Sequence, residues 1–418
     1  MAAALLRRNR NYRLHFTASV ISNLGDGVSV LAFPWLATLL TRDPFLISLV
    51  VTGARLPWFL FALPAGVWTD RADRRRMMVR ADLVRMVLTF GVIALILSVP
   101  GLPQPDTAGP AAILALSGLA FLLGTAEVLR DNAAQTLMPA IVAPADLERA
   151  NGQMWSAEQV MNHFIGPPLA GALIGLGIAW PFGFDAVTFA GAAALVALMV
   201  LPPASLPPRR PFLAELKEGL AWLMANPLIR RLAVILGVTN AVFTAAMTMA
   251  ALYAQEILGL DAFGFGLLLT TGAAGGVLAG LAGPAIAARL GPERTVHLSM
   301  AIFTGAYFIL GLWPTLPGAA LGFFGDAFGG VLWNVVTVSY RQRVIPPALL
   351  GRVNSVYRFL GWGTMPAGAL LGGALVRLGE PHLGRETALL APFVIAGIVT
   401  LGLTIYGFFR LGFPEEQP

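Results

Sequence analysis

The sequence predicts an all-α polytopic membrane protein of twelve membrane-spanning helices, and three observations carry that prediction. Of 418 residues, 57 % are hydrophobic and only 12 % charged, half the charge of an ordinary soluble domain and too little to coat a globule. Stretches free of Asp, Glu, Lys and Arg run over 159–184, 186–208, 232–255, 262–288, 295–325 and 387–409. Each is long enough for the roughly 20 apolar residues that cross a bilayer as helix. In lipid every backbone polar group must be satisfied internally, which leaves helices or a closed barrel. Runs of this length are too long for barrel strands of about ten residues.

The elements follow in order. Arg7, Arg8 and Arg10 precede an apolar run, as in a signal peptide, but the run from Leu14 to about Leu40 is too long and lacks a small-residue cleavage site. It reads as a retained first span. Turn residues and charges then set spans at 14–40, 45–69, 77–100, 110–131, 150–177, 180–201, 230–255, 263–286, 295–313, 318–341, 352–379 and 388–410. One alternate set of loops comprises the N-terminus, 70–85, 130–149, 202–231, 287–294, 341–358 and the C-terminus. It holds all the Lys and Arg residues except Arg42, Arg55, Arg377 and Arg385. By the positive-inside rule that set faces the cytoplasm and both termini are inside. The net charge of +6 is therefore a topology signal, not a nucleic-acid surface. The absence of cysteine excludes disulfides, thiolate metal sites and Cys nucleophiles. The four histidines, His15, His163, His297 and His382, are too scattered for a His-rich metal motif.

The longest internal break, 202–229, divides the chain into halves at 1–201 and 230–418. It opens with Pro202, Pro203, Pro207, Pro208, Arg209 and Arg210. Phe212, Leu213, Leu216, Leu220 and Leu223 follow at helical spacing, with Glu215 and Glu218 on another face. That pattern predicts an amphipathic helix on the cytoplasmic leaflet; a simple tether is compatible with it. The halves also look alike. Leu147-Glu148-Arg149-Ala150-Asn151 precedes span five and Leu350-Gly351-Arg352-Val353-Asn354 precedes span eleven, both L-x-R-x-N. Parallel six-helix repeats are a transporter architecture.

The loop after span two reads Gly66-Val67-Trp68-Thr69-Asp70-Arg71-Ala72-Asp73-Arg74-Arg75-Arg76. It resembles the G-x-x-x-D-R-x-G-R-R signature of the major facilitator superfamily, with Asp73 where the family usually has glycine. The second half carries a reduced copy, Ala288-Arg289-Leu290-Gly291 with Arg294. The resemblance implies two six-helix pseudo-repeats around a central cavity and a monomer. It also implies a gating motif of Gly66, Asp70, Arg71, Arg74 and Asp131, with Asp70 facing the start of span eleven and Arg74 meeting Asp131. Gly166, Pro167 and Gly171 in span five are similar to the G-P-x-x-G-G motif of the antiporter branch, with Asn162 and Ala170 at two usual glycines; generic small-residue packing would look the same. The segment from Arg130-Asp131-Asn132 through Met138-Pro139 to Arg149-Ala150-Asn151, with Asn23-Leu24-Gly25-Asp26, resembles exporters of macrolides and of catecholate siderophores such as enterobactin.

A lone charge at mid-membrane costs about 2.5–3.5 kcal/mol on insertion scales, so each needs a partner or a job. Asp26 is expected about 18 Å and Arg55 about 21 Å from the cytoplasmic ends of their spans. Their matching depth predicts an Asp26–Arg55 pair. If the pair opens, Asp26 can carry a proton; if it is permanent, Asp26 is structural. Glu127, Arg130 and Asp131 share one face of span four. With Asp131 assigned to the Arg74 latch, Glu127 is the better proton carrier there. Glu158 lies about 12 Å inside span five, on a different face from His163. Asp326 is the acid well inside the second half. Spans one, four, seven and ten line the cavity in the resembled superfamily. That implies cavity positions for Asp26, Glu127, Asp326, Asn240 and Asn334, beside Arg55, Phe243, Met247 and Trp333, with Phe33, Trp35 and Met249 on the same spans. Interhelical hydrogen bonding is the alternative role of the two asparagines.

The expected function is secondary export of bulky hydrophobic small molecules by proton antiport, at a bacterial inner membrane. Proton symport or uniport of a metabolite is the alternative. No G-x-x-x-x-G-K-[ST] exists, since the single lysine is Lys217, so no P-loop supplies an ATP drive. No H-E-x-x-H, G-x-S-x-G or G-x-G-D arrangement supports a membrane-embedded enzyme, and no cofactor or metal is expected.

Overall fold

The computed structural model describes residues 3–99, 101–103, 109–201, 212–346 and 349–413. The described residues contain helices and no strands. Span one is Arg10–Leu40, span two Pro44–Arg71, span three Arg74–Ser98 and span four Gly109–Ile141. Span five is broken into Leu147–Gln159, a π-helical turn Val160–Ile165, and Gly166–Leu176; span six is Trp180–Ala197. After a helix at Phe212–Ala225 come span seven, Pro227–Thr248, and a second π turn, Tyr253–Ile257. Ala262–Leu312 is two spans, eight and nine, joined at non-helical Gly291, whose φ of 79° suits glycine. Span ten is Leu316–Val344, span eleven Leu350–Trp362 plus Met365–Leu383, and span twelve Arg385–Arg410. Ten of the helices are long and apolar enough to cross a bilayer. The joined eight and nine, and the broken five, bring the segments to the twelve expected.

Local chemistry sets several boundaries. Asp43 caps span two by accepting from the amides of Phe45 and Leu46 at 2.8 and 3.2 Å, with Pro44 at the first helical position. Asp73 caps span three by accepting from Arg76 N at 3.1 Å. Its φ is −66°, so the position where the superfamily signature has glycine needs no left-handed residue. An aspartate serves it as a cap.

The chain forms two compact units, Met1–Pro208 with Leu260–Leu267, and Arg209–Gly259 with Leu268–Pro418. In the first, span two lies against span four, span three against four and six, and span one against six and five. A core of Tyr12, Ala18, Met78, Leu137, Val196 and Met199 fills its Arg-rich end. Spans one and five touch backbone to backbone: a Cβ at Gly166 would stand 2.5 Å from Gly27 C, and one at Gly27 would stand 2.7 Å from Met161 O. The π turn ends where Gly166-Pro167-Pro168 begins, and proline cannot donate to the preceding turn.

In the second unit, span seven packs on spans eleven and twelve. Gly368 and Gly372 meet the carbonyls of Ala241 and Ala245, where a Cβ would collide. Leu223, Ile229, Trp333, Tyr340, Tyr357 and Phe413 form its core. The helix Phe212–Ala225, expected as amphipathic, packs on Leu350–Trp362 with Leu223 fully buried. Residues 202–211 of the expected linker lie outside the described residues.

Candidate functional site

The first unit encloses a charged site at the meeting of spans one, three, four and six. Span three contributes Asp82 and Arg85, 0 % and 3 % exposed, and span four contributes Arg130, 4 % exposed. Arg85 donates through Nη2 to Asp26 Oδ1 on span one and through Nη1 to Ser22 Oγ at 3.4 Å. Its Nη1 also stands 3.7 Å from Asp82 Oδ1, and its guanidinium carbon lies 3.9 Å over the Phe189 ring. A desolvated stack of that kind contributes about 2 kcal/mol. Arg130 Nε is 3.7 Å from the same Asp82 oxygen, and Arg130 Nη1 is 3.3 Å from Asp131 Oδ1. Asp82 thus sits between two guanidiniums from different helices.

Asp185 of span six forms the far side. Ser29 donates to its Oδ2 at 2.6 Å and Thr188 to its Oδ1 at 3.3 Å. Gly25 lets it approach, because a Cβ there would collide with Asp185 Oδ1 and Thr188 Oγ1. Glu127 of span four completes the group; its charged neighbours are Asp26, Arg85, Asp131 and Arg55. Five carboxyls, of Asp26, Asp82, Glu127, Asp131 and Asp185, therefore share the two buried guanidiniums of Arg85 and Arg130, with exposed Arg55 at the edge. In a low-dielectric interior such an excess of acid is the chemistry of proton binding.

The expected Asp26–Arg55 pair is corrected: the partner of Asp26 is Arg85. Matching depth on consecutive spans was not enough, because span two lies chiefly on span four. Arg55 instead acts on Glu127 and on His163 of span five. The Arg74–Asp131 contact is corrected as well, since among the described residues the ion pair of Asp131 is with Arg130, while Arg74 Nε is buried without a hydrogen-bond partner. Gly66, Asp70 and Arg71 belong to the helix Pro44–Arg71, and the side chains of Asp70 and Arg71 lie outside the described residues. Gly171 and Gly166 make close backbone contacts, Gly171 with Ala262 and Phe263 of the same unit. Phe33 packs edge-on against Phe182 at 5.2 Å, and Trp35 stacks on Phe265 at 6.2 Å.

The remaining expected site residues belong to the second unit. Asn240 donates through Nδ2 to Gly361 O at 2.8 Å, and Thr364 donates to Gly237 O at 2.7 Å, so the Asn240 amide ties span seven to the break in span eleven. Trp333 is corrected from a cavity wall to a core residue, 3 % exposed among Ile229, Val336 and Tyr340. Asn334 is exposed, and Phe243 and Met247 are half-buried. Asp326 is half-buried, and its polar neighbour is the fully buried Tyr307 of span nine. Among the described residues no three His, Asp or Glu side chains are placed to hold a metal ion.

The profile of the transmembrane secretion effector family, a branch of the major facilitator superfamily, matches residues 2–407. The chain belongs to this family. The chain is 27 % identical over 415 residues to the enterobactin exporter EntS of Shigella boydii, covering 98 % of this chain and 92 % of that one. It is 26 % identical over 404 residues to the multidrug efflux pump Tap of Mycolicibacterium fortuitum, covering 92 % and 94 %. Solved structures share the fold. A bacterial homologue of the iron transporter ferroportin, facing inward, has a TM-score of 0.69 at 16 % identity, over 94 % of this chain and 98 % of that one. The nucleoside transporter NupG has 0.69 at 14 % identity, over 96 % and 99 %. The protein is thus a multi-pass membrane protein of the major facilitator fold, and its family and neighbours are transporters.

Sequence reasoning missed Asp82, Arg85 and Asp185. The signals were present: Asp82 and Arg85 stand three residues apart in span three, and Asp185 alone interrupts two charge-free stretches.

Proposed function

We propose that this transmembrane secretion effector exports bulky, hydrophobic small molecules from the cytoplasm by proton antiport with alternating access. The single observation that carries the reading is the acid-rich site in the first unit, five carboxyls around two buried arginines. Similarity to a siderophore exporter and a multidrug pump over nearly the whole chain supports the cargo class. The basic loops support an inner-membrane orientation with both termini inside.

In this scheme Asp26, ionised, is held by Arg85. A proton on Asp26 removes the charge that Arg85 grips, and the guanidinium keeps Asp82 and Ser22. Span one is then released from span three, which couples proton binding to movement. Glu127 is the second carrier and Asp326 a carrier in the second unit. Asp26 and Arg55 are the candidate substrate contacts of the first unit, and Asn334, Phe243 and Met247 those of the second. The motif of Gly66, Asp70, Arg71 and Arg74 biases which side is open, and Gly166, Pro167 and Gly171 let span five bend. One charge crossing 100 mV releases about 2.3 kcal/mol, enough to drive concentration of a neutral cargo. The protein works as a monomer.

The test uses purified protein in liposomes with an imposed ΔpH. A macrolide, a dye cation and a catecholate siderophore are added one at a time while internal pH is read. One of them is expected to dissipate the gradient, with Asp26→Asn and Glu127→Gln removing that effect. Saturable uptake of any probe without proton movement would overturn antiport and favour a uniporter, and proton movement in the same direction as cargo would make it a symporter.

A further inference from the structure

Span one carries a polar stripe that the carboxylate site does not fully use. Between Leu14 and Phe33 the polar residues are His15, Thr17, Ser19, Ser22, Asn23, Asp26 and Ser29. All but Thr17 and Asn23 recur at alternating intervals of four and three, the spacing of one helix face. From His15 to Ser29 the stripe covers about 21 Å of helix. Its upper part is occupied: Ser22 donates to Asp26 Oδ2 at 3.4 Å and accepts from Arg85, and Ser29 holds Asp185.

Its lower part is different. His15 is 0 % and Ser19 2 % exposed, yet neither ring nitrogen of His15 nor Ser19 Oγ has a hydrogen-bond partner. Arg130 is the charged neighbour of His15, and its Nη2 is also unpartnered. Leaving one such buried group unpaired costs about 1–3 kcal/mol. Orphaned donors and acceptors in line beside a guanidinium match what water satisfies. A packing histidine would have at least one ring nitrogen bonded to protein. One turn below His15, the Tyr12 hydroxyl donates to Gln153 Oε1 at 2.8 Å, and the fully buried Tyr12 ring closes that end. The charged groups facing the stripe are Asp82 and Arg85 from span three, Glu127, Arg130 and Asp131 from span four, Glu158 from span five and Asp185 from span six.

We propose that the stripe is a hydrated proton path, in which His15 and Ser19 pass protons between the Asp26–Arg85–Asp82 site and the Arg-rich end of span one, with Tyr12–Gln153 as its closing contact. The proposal rests on the antiport reading and gives the proton its route within the first unit. Imidazole accepts a proton at one nitrogen and releases another from the other, and the serine hydroxyl donates as it accepts. No group is consumed. Both relay the proton directly and touch no cargo.

The chain has no cysteine, so single cysteines report without background. Purified Ser19→Cys and Ser22→Cys, on the stripe, and Ala18→Cys, off it and 0 % exposed, are exposed to Ag⁺, an ion close to water in size. The stripe cysteines are expected to react and Ala18→Cys to stay free. In the liposome assay Ser19→Val and His15→Phe, which replace polar atoms with carbon, should slow substrate-driven proton flux by about a hundredfold while cargo binding is retained. Ser19→Ala, which leaves room for water, should stay near wild type. A structural role would instead lower thermal stability and binding together, in Ser19→Ala as much as in Ser19→Val. An unreactive Ser19→Cys with wild-type flux in Ser19→Val overturns the path even where the wild type exchanges protons. Cargo transport by the wild type without protons overturns the antiport reading itself, and the path with it.

Discussion

The two units share a fold plan but not a chemistry. The first buries Asp82, Arg85, Arg130 and Asp185 at the junction of four spans, with Asp26, Glu127 and Asp131 half-buried beside them. In the second, Asp326 stands beside Tyr307, and its helices meet through Gly368 and Gly372 on Ala241 and Ala245. The repeat motif diverges too. Arg149 is exposed, whereas Arg352 reaches Glu218 at 2.5 Å and Glu215 at 3.4 Å on the helix Phe212–Ala225. The difference teaches that two units with the same helix pattern can differ in chemistry, the buried charge collecting in the first. The other unit is held by close helix packing and an added strap, the helix Phe212–Ala225.

The largest effect should come from removing the cation both acids share. Arg85→Ala leaves Asp26 and Asp82 without that guanidinium and uncovers the Phe189 ring. Breaking one partner of a buried pair costs about 3–5 kcal/mol. Thermal unfolding in detergent should show a large loss, and transport should be absent. Arg85→Lys keeps the charge but loses the fork that spans Asp26, Asp82 and Ser22, so it should fold better and still transport poorly. The matching break in the second unit, Asp326→Asn, should cost far less stability and leave more transport than Asp26→Asn. Equal losses from Asp26→Asn and Asp326→Asn would end the asymmetry between the units.

What was legible in the sequence follows the same physics. Charge-free length fixes spans, and loop basicity supports orientation, so the twelve segments and the helix near 212–223 were readable. Asp26 and Glu127, expected to need charged partners, do sit with the buried Arg85. Neighbours were not readable. Asp26 pairs with Arg85 because spans three and six, not span two, bring their charges against it. A linear pattern gives how far along a helix a residue lies, not which helix it faces. Arg85 was further hidden by counting with the basic loop 70–85. Trp333 shows the limit for apolar residues, where a core position and a cavity wall have the same composition.

An intermediate effect tests the packing side of the comparison. At Gly166 an added methyl meets Gly27 C at 2.5 Å, and backbone cannot swing aside as a side chain can. Overpacking of this kind costs about 1–3 kcal/mol. Gly166→Ala should lower the unfolding temperature and slow transport. Gly175→Ala in the same helix, with nothing within 4 Å, should be silent in both. Equal behaviour of the two would show that the stretch needs flexible glycine rather than close approach.

The smallest effect should come from the strap of the second unit. The carboxylates of Glu215 and Glu218 are 39 % and 51 % exposed, against 19 % for Arg352. Solvent screening therefore limits the pair to about 0.2–1 kcal/mol. Arg352→Gln should leave the unfolding temperature nearly unchanged, and raised salt should erase what difference there is. What holds Phe212–Ala225 in place is then the apolar contact of Leu223 with the core and the approach of Gly219 to Arg352 O, where a Cβ would stand at 2.7 Å. Gly219→Val should accordingly loosen the helix more than Arg352→Gln does, read as faster proteolysis within 212–225. If Arg352→Gln released the helix and Gly219→Val did not, the strap would be electrostatic. The contrast between a charged first unit and a packed second one would then fail at the helix Phe212–Ala225.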